Sequence, residues 1–396
     1  MITPSPYKTK GKVHDAYGVK LVHGGEDYFA RLEKLIAHAE HEIHFQTYIF
    51  DNDETGKRIT AALIKAAQKG VSIYLVVDAY GSKHIGGLAN QLTAAGVKLR
   101  IFGTVYTGRK WAWGRRLHHK IVVIDRCMAL VGGINISNHY SGMDGKTPWL
   151  DYALLVEGPV CKDIFKVCRQ IFTQWYIPKT RRFRLFERHT PPDHKQHIQL
   201  LQNDWLRGKN QIARAYIKAI NAAKKEVIIA NSYFLPGSRF RKALKNAAKR
   251  GVKVKILLAG TSDVPFAKKA IEYLYGYLLR NKIEIYEWQP SVLHAKIACI
   301  DGKWCAIGSY NLNFLSAYAS IEFDISVIDD AFCTRFSNHL NTMLKQQCVK
   351  VVSPALHTLN PLKKFSLWAS YVLIRLSEGL LTTFPGQRLF NKNRYA

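Results

Sequence analysis

The chain has 396 residues, of which 47% are hydrophobic, so it can build the cores of two ordinary folded domains. Its formal net charge is +29, which disfavours a merely soluble basic surface and points to a polyanion: a nucleic acid or an anionic membrane. No apolar run reaches the ~18 residues that a membrane-spanning helix needs, so we expect any membrane contact to be peripheral.

The first half of the chain alternates predicted helices and strands. Apolar spacing predicts helices at residues 28–39, 56–68 and 85–95, and alternation or short apolar runs predict strands at 42–50, 71–78 and 97–102. This alternation is typical of an α/β layer in which both faces of a sheet are covered.

Basic and aromatic residues alternate just before the first motif. Residues 108–116 read GRKWAWGRR. Tryptophan between cations suits single-stranded nucleic acid, where bases stack and phosphates pair with the cations. The same pattern suits the headgroup boundary of a membrane. Its place beside the motif favours a role in facing the substrate.

A polar motif follows the third predicted strand. Residues 118–125 read HHKIVVID, and a small-residue turn then ends in Asn135. Because alternate side chains of an extended segment share a face, His118 and Lys120 point the same way and His119 points away.

The second half repeats this order after a basic, proline-containing stretch at residues 179–204. We interpret that stretch as a solvated linker, with a lid or lipid-facing loop as the alternative. Helices are predicted at 211–223, 238–249 and 266–279, and strands at 226–235, 252–259 and 282–288. Residues 294–301 then read HAKIACID, and Asn311 ends the following turn. His294, Lys296, Asp301 and Asn311 each lie 176 positions after their first-half counterparts, which indicates an internal duplication.

The paired motifs suit the chemistry of a phosphate diester. One neutral histidine can attack phosphorus while the other, protonated, gives a proton to the departing oxygen. Lysines neutralise the phosphate oxygens, and Asn135, Ser309 and Asn311 are candidate donors to them. A carboxylate on the far ring nitrogen would orient each histidine, and Asp151 and Glu322 are the candidates. No cluster has metal-ligand spacing, so we expect neither a metal nor a cofactor.

The two copies resemble the HKD signatures of the phospholipase D superfamily, and the context is similar to its bacterial cardiolipin synthases of the short B type. The resemblance spans about residues 18–352 and includes the segments 116–125, 131–136 and 149–158. It implies an α/β fold of two similar α/β/α sandwich halves, related by a pseudo-twofold axis, with one active site at their interface. It also implies six motif residues in that site: His118, Lys120, Asp125, His294, Lys296 and Asp301. In the family the motif aspartates mostly support the site, and Gly133 departs from the Ser309 of the second copy.

Three activities are open at this point. The first passes a phosphatidyl group from one phosphatidylglycerol through a phosphohistidine to a second, which gives cardiolipin and glycerol. The second is a phospholipase D, with water as acceptor, and the third is a nuclease of the same superfamily. The resemblance favours the first, with anionic phospholipid as substrate at the cytoplasmic side of a bacterial cell membrane. Nucleic acid is the less favoured partner, and neither the oligomeric state nor the attacking histidine follows from the sequence.

We therefore predict two catalytic halves at residues 1–178 and 205–352, with a tail at 353–396. Within the tail, apolar residues recur among basic ones from about 365 to 381. That spacing fits a helix in the membrane interface, and the alternative is a helix that packs on the catalytic body.

Overall fold

The computed structural model describes residues 6–7, 11–103, 115–173, 195–352 and 360–382. Two predictions concern segments that lie largely outside the described residues. These are residues 108–114 of the basic tryptophan segment and residues 179–194 of the linker. Within the described part, two sheets and their helices form the molecule.

The first sheet belongs to the first half of the chain. Numbered along the chain, its seven strands are β2 (Gly18–His23), β3 (Glu42–Thr47), β4 (Ser72–Asp78), β5 (Lys98–Phe102), β7 (Ile121–Ile124), β8 (Met128–Gly132) and β9 (Tyr152–Glu157). The accompanying helices are α1 (Glu26–Ala37), α2 (Glu54–Gln68), α3 (Gly86–Ala94), α4 (Asn138–Ser141) and α5 (Cys161–Thr173).

The second sheet is built mainly by the second half. Its strands are β1 (His14–Ala16), β6 (Arg116–Leu117), β10 (Gln196–Asp204), β11 (Lys209–Asn210), β12 (Glu226–Asn231), β13 (Lys253–Thr261), β14 (Glu284–Val292), β15 (Lys296–Ile300), β16 (Trp304–Gly308), β17 (Ser320–Ile328) and β18 (Cys348–Val351). The helices are α6 (Gln211–Ala222), α7 (Ser238–Lys249), α8 (Pro265–Arg280), α9 (Phe314–Tyr318), α10 (Asp330–Gln346) and α11 (Pro361–Thr382), with a 3₁₀ turn at Trp205–Arg207.

The two sheets have the same strand order. The first runs β2-β9-β8-β7-β3-β4-β5, and the second contains β10-β17-β16-β15-β12-β13-β14 with β1 and β18 added at its edges. In both, the motif strand lies at the centre, antiparallel to the first strand of a parallel trio. The duplication expected from the motifs is therefore present in the backbone.

The motif strands are apolar because both faces of each sheet are covered. All four residues of β7 and all five of β15 are buried. One hydrophobic cluster joins the halves, since it contains Val131 and Leu154 of the first half and Ile307 and Ile325 of the second. The two sheets thus share a core, which fixes their motif strands relative to each other.

The six helices and six strands predicted from apolar spacing are present, with ends shifted by a few residues. One segment differs from its interpretation: β10 (Gln196–Asp204) occupies the end of the stretch read as linker. Its apolar residues Ile198 and Leu201 are buried, and β10 pairs with β17 along seven residues. The sequence does not predict this strand, because the residues that precede it are basic and include prolines. No helix of the described residues is long and apolar enough to cross a membrane.

Candidate active site

The segment that leads into each motif makes backbone hydrogen bonds to the other half. The His118 backbone N–H donates to the Ile321 carbonyl at 3.0 Å, directly before Glu322. In the mirrored arrangement, the His294 N–H donates to the Leu150 carbonyl at 2.8 Å, directly before Asp151. Backbone pairing across the interface therefore brings each histidine beside an acid of the opposite half.

His118 is oriented by Glu322. Its Nδ1 lies 2.9 Å from Glu322 Oε2 and 3.0 Å from the Ser309 carbonyl oxygen. Because a carbonyl only accepts, Nδ1 carries the hydrogen and Nε2 of the neutral ring keeps its lone pair. Ser309 and Ser316 donate to the Glu322 carboxylate at 2.5 and 2.6 Å, which holds it in place.

His294 is oriented by Asp151. Its Nδ1 lies 2.6 Å from Asp151 Oδ2, and the Tyr152 backbone N–H donates to the other carboxylate oxygen at 2.8 Å. The Tyr140 hydroxyl lies 3.3 Å from Nε2 of His294. Both site histidines thus have a carboxylate on Nδ1, which leaves Nε2 as the nitrogen that can meet a substrate.

The two motif lysines are buried beside the histidines. Lys120 Nζ donates to the His118 carbonyl at 2.9 Å and lies 5.2 Å from the centre of the Tyr48 ring. Lys296 Nζ donates to the His294 carbonyl and to Ser232 Oγ, and it lies 3.7 Å from Asp151 Oδ2. Two buried ammonium groups from different halves create a strongly positive pocket, the environment that a phosphate anion needs.

Both motif lysines influence the pKa values of the two histidines. Burial lowers the pKa of both imidazoles well below the usual range, and each is lowered further by both Lys120 and Lys296. Burial also lowers the pKa of Lys120 to about 7 and lowers that of Lys296. Both imidazoles are therefore neutral at pH 7. A bound phosphate anion would offset the lysine charge and raise the imidazole pKa values.

The two carboxyl groups respond to burial in the opposite direction. Desolvation raises the pKa of Asp151 to about 6 and that of Glu322 to about 8, although nearby lysines oppose the change. The pKa of each carboxyl therefore lies close to neutral pH. Each carboxyl can stabilise a neighbouring imidazolium as its positive charge develops.

Gly133 explains the difference between the two motif tails. A Cβ atom at this position would lie 2.3 Å from Asp151 Oδ1. The corresponding Ser309 has room for a side chain, and its hydroxyl bonds Glu322. The first half lacks this hydroxyl because the Asp151 carboxylate fills the space.

The three predicted phosphate ligands are buried at the site but differ in their contacts. Asn135 accepts from the Ile49 N–H at 3.1 Å and donates to the Tyr140 hydroxyl at 2.8 Å. Ser309 donates to Glu322, so its proton is already used. Asn311 has a buried side-chain oxygen without a hydrogen-bond partner among the described residues. Direct phosphate binding by these residues stays a prediction.

Asp125 and Asp301 lie at the opposite ends of the motif strands from the lysines. Each accepts three backbone N–H bonds from the loop before a neighbouring strand: residues 40–42 for Asp125 and 224–226 for Asp301. Each aspartate lies five positions after its lysine, and an extended chain of that length spans about 16 Å. Their contacts are therefore structural, and the chemistry proposed below does not use them.

Tyr140 and Ser316 were not among the residues predicted from the sequence. They occupy equivalent places five residues after Asn135 and Asn311, yet Tyr140 contacts His294 whereas Ser316 contacts Glu322. The 176-residue offset relates these two positions to each other, but no sequence signal indicates that either side chain contacts the site.

Comparison with known proteins identifies the relatives of this chain. The family model described as "Cardiolipin synthase, PLD-like domain" matches residues 32–174 and 216–344. Cardiolipin synthase B of Escherichia coli K12 is 34% identical over 346 residues, which cover 84% of this chain and 82% of that protein. Cardiolipin synthase of Clostridium perfringens SM101 is 30% identical over 344 residues, covering 84% and 71%.

Solved structures confirm the predicted fold class. The phosphatidylserine synthase of Haemophilus influenzae Rd KW20 superposes with a TM-score of 0.69 at 13% identity, covering 94% of this chain and 96% of that one. The polyphosphate kinase of Porphyromonas gingivalis superposes with a TM-score of 0.59 at 16% identity, covering 92% of this chain and 54% of the kinase. At these identities the similarity concerns the fold.

Proposed function

Because the chain belongs to the family of cardiolipin synthases with phospholipase D-like domains, we propose that it transfers a phosphatidyl group between two phosphatidylglycerol molecules. The products are cardiolipin and glycerol. The observation that carries this proposal is the reciprocal pairing of His118 with Glu322 and of His294 with Asp151 across the two halves. This arrangement supplies an attacking imidazole and a proton donor to one phosphorus.

In the first step, Nε2 of His118 attacks the phosphorus of one phosphatidylglycerol. The bond from phosphorus to the glycerol headgroup oxygen breaks, and this oxygen takes the Nε2 proton of protonated His294. Lys120 and Lys296 neutralise the phosphate oxygens throughout. We assign the attack to His118 because the Tyr140 hydroxyl occupies Nε2 of His294.

In the second step, the primary hydroxyl of another phosphatidylglycerol replaces His118 on phosphorus. That hydroxyl gives its proton to Nε2 of His294, which restores both histidines. Water in place of the alcohol would yield phosphatidic acid, so the acceptor decides between transferase and phospholipase.

The proposed location is the cytoplasmic side of the cell membrane, with peripheral attachment. The net charge of +29 favours an anionic leaflet. The seven cysteines are all free, although Sγ atoms of Cys299 and Cys305 lie 3.3 Å apart, which suits a reducing compartment.

The test supplies purified protein with vesicles rich in phosphatidylglycerol and identifies the lipid products by mass spectrometry. We expect cardiolipin and free glycerol. His118→Ala and His294→Ala should each lower turnover by at least about 1,000-fold, whereas His84→Ala, at an exposed position, should retain it. Phosphatidic acid as the sole product, or cleavage of DNA with inert vesicles, would refute the transferase. Substantial turnover in either site variant would refute the two-histidine scheme.

A further inference from the structure

Helix α11 is apolar on two faces. The inner face packs on the body: Leu367 and Ser370 are buried, and the Tyr371 ring lies 4.9 Å from the Tyr273 ring of α8. The outer face carries large apolar residues that are 45% to 78% exposed, namely Leu362, Phe365, Trp368, Leu373 and Leu376. At 100° per residue they occupy a stripe roughly 140° wide. Packing on the body and exposure of an apolar stripe therefore coexist in this helix.

The C-terminal half of α11 reaches the active-site end of the second sheet. Arg375 donates to the Pro236 carbonyl at 3.1 Å, and Pro236 lies four residues after Ser232, a contact of Lys296. The helix also contacts α9, whose Ser316 bonds Glu322. Leu373 and Leu376 thus lie near the end of the sheet where the site is built.

The two helices that α11 contacts, α8 and α9, also carry exposed apolar side chains. Val264 and Phe266, at the start of α8, are 41% and 43% exposed, and Leu315 of α9 is 42% exposed. Together with the outer face of α11 they form what we call the apolar rim: residues 264, 266, 315, 362, 365, 368, 373 and 376. An exposed apolar area of this extent marks an interaction surface.

Charge indicates what covers the apolar rim. Lys363 and Lys364 flank the stripe on α11 and are exposed, and the whole chain carries +29. Two copies of such a surface would repel each other, whereas anionic headgroups would attract it while the apolar side chains enter the acyl boundary. We infer that the apolar rim docks onto an anionic phospholipid bilayer and holds the active-site end of the second sheet toward the headgroups. This inference rests on the proposed function only for the identity of the lipid substrate.

The test compares two matched pairs of substitutions in the full chain. The rim variant is Leu373→Glu with Leu376→Glu. The control variant is Val349→Glu with Val352→Glu, which changes equally exposed residues (56% and 55%), one in the edge strand β18 and one directly after it. Binding is measured by co-sedimentation with phosphatidylglycerol–phosphatidylcholine vesicles. We expect the rim variant to lose at least tenfold in vesicle affinity, and the control to bind like the wild type.

Activity measurements complete the test. The rim variant should lose turnover on vesicles but retain it on short-chain phosphatidylglycerol dispersed below its micelle concentration, because its catalytic groups are untouched. Wild-type vesicle affinity of the rim variant, or an equal loss in the control, would overturn the inference. A changed oligomeric state with unchanged vesicle affinity would assign the surface to a second copy instead and would also overturn it.

Failure of docking and failure of the proposed function are distinguishable. His118→Ala should bind vesicles like the wild type without turnover. Rim-dependent vesicle binding without cardiolipin formation by the wild type would leave docking intact and refute the function. Full cardiolipin synthesis by the rim variant on vesicles would refute docking and leave the proposed function intact.

Discussion

Tyr140 makes the two site histidines unequal. Its hydroxyl accepts from Asn135 Nδ2 at 2.8 Å, so its own proton is directed at Nε2 of His294, 3.3 Å away. The second half has Ser316 in the equivalent place, and that hydroxyl bonds Glu322 instead. Among the described residues no equivalent hydroxyl occupies Nε2 of His118. Each histidine thus has a carboxylate on Nδ1, but the two Nε2 atoms differ in their contacts.

Tyr140→Phe tests this asymmetry. Removal of the hydroxyl leaves the ring packing in place but takes away the group that positions Nε2 of His294 for proton transfer, so we expect kcat to fall about tenfold with little change in KM. The pH profile of kcat should shift as well, since the hydroxyl contacts the proton-transferring nitrogen. Tyr152→Phe, another buried tyrosine that bonds His339 rather than a site histidine, is the control. A wild-type kcat and pH profile in Tyr140→Phe would rule out the role.

Gly133→Ala tests whether Asp151 orients His294. The new Cβ would lie 2.3 Å from Asp151 Oδ1, so the carboxylate must leave Nδ1 of His294, and we expect turnover to fall at least about 100-fold. Gly86→Ala adds the same atom where nothing lies within 4 Å, and it should keep full activity. Thermal unfolding of both variants checks that the fold persists. Unchanged turnover in Gly133→Ala would exclude the orienting role.

At the residue scale, the sequence predicted which side chains meet but not how they are used. The duplicated His-x-Lys pattern predicts that two histidines and two lysines act on one phosphorus, and this stays a prediction. Ser309 was interpreted as a phosphate donor, yet its hydroxyl is taken by Glu322. Such a choice between two acceptors depends on atomic positions that residue spacing does not contain.

The motif aspartates stabilise the connections between secondary-structure elements. Asp125 and Asp301 have φ angles of 48° and 54°, in the left-handed region that aspartate tolerates better than most residues. Each carboxylate ties the turn after its motif strand to the chain entering β3 or β12. The position therefore requires both the backbone freedom and the acceptor oxygens of aspartate, which explains its recurrence in the two halves.

Asp125→Ala and Asp301→Ala should each lower the free energy of unfolding by about 3 kcal/mol, because three N–H groups lose a charged acceptor. Urea unfolding measures the change, and activity per folded molecule should persist. Asp144→Ala, an exposed aspartate, is the control, with a change within about 0.5 kcal/mol. A loss of turnover without a loss of stability would instead indicate direct participation in the chemistry.

Acidification provides a second check on Asp301. Burial opposes ionisation, but bonds from the loop N–H groups and Tyr7 lower its pKa below the usual value. Its stabilising contribution is therefore present above the ordinary carboxyl pKa and is lost as the pH falls through the lower folded value. Asp301→Ala should lack this part of the acid sensitivity.

Most helices and strands could be predicted because their apolar periodicity is strong. Strand β10 could not, because its pairing with β17 is a long-range contact within a basic neighbourhood. The pairing of β6 with β17 could not be predicted either, because a strand of two residues shows no apolar periodicity. These two contacts align His118 with Glu322, so the least predictable elements are those that assemble the site.

At the scale of the whole molecule, a cluster of three rings joins the two halves. His339 of α10 bonds both His23 and Tyr152 at 3.0 Å. Burial first, and His339 second, lower the pKa of His23 to about 4. His23 is therefore neutral at pH 7, because burial and the second imidazole outweigh the opposing effect of Asp27 on its pKa.

Stability should fall on acidification between about pH 6.5 and 4, because the unfolded chain then binds a proton that folded His23 does not. The contribution of this residue is about 1.4 kcal/mol per pH unit. His23→Gln should reduce the slope of unfolding free energy against pH by that amount, measured by urea titrations from pH 4 to 7. His84→Gln, at an exposed position, should keep the wild-type slope. An unchanged slope in His23→Gln would contradict the buried neutral state.

The acid that orients His118 stands 204 residues further along the chain. During translation, the first imidazole leaves the ribosome long before its carboxylate partner has been synthesised. In the proposed mechanism, the growing polypeptide therefore lacks half of its catalytic groups, and lipid transfer requires the second half to have folded against the first.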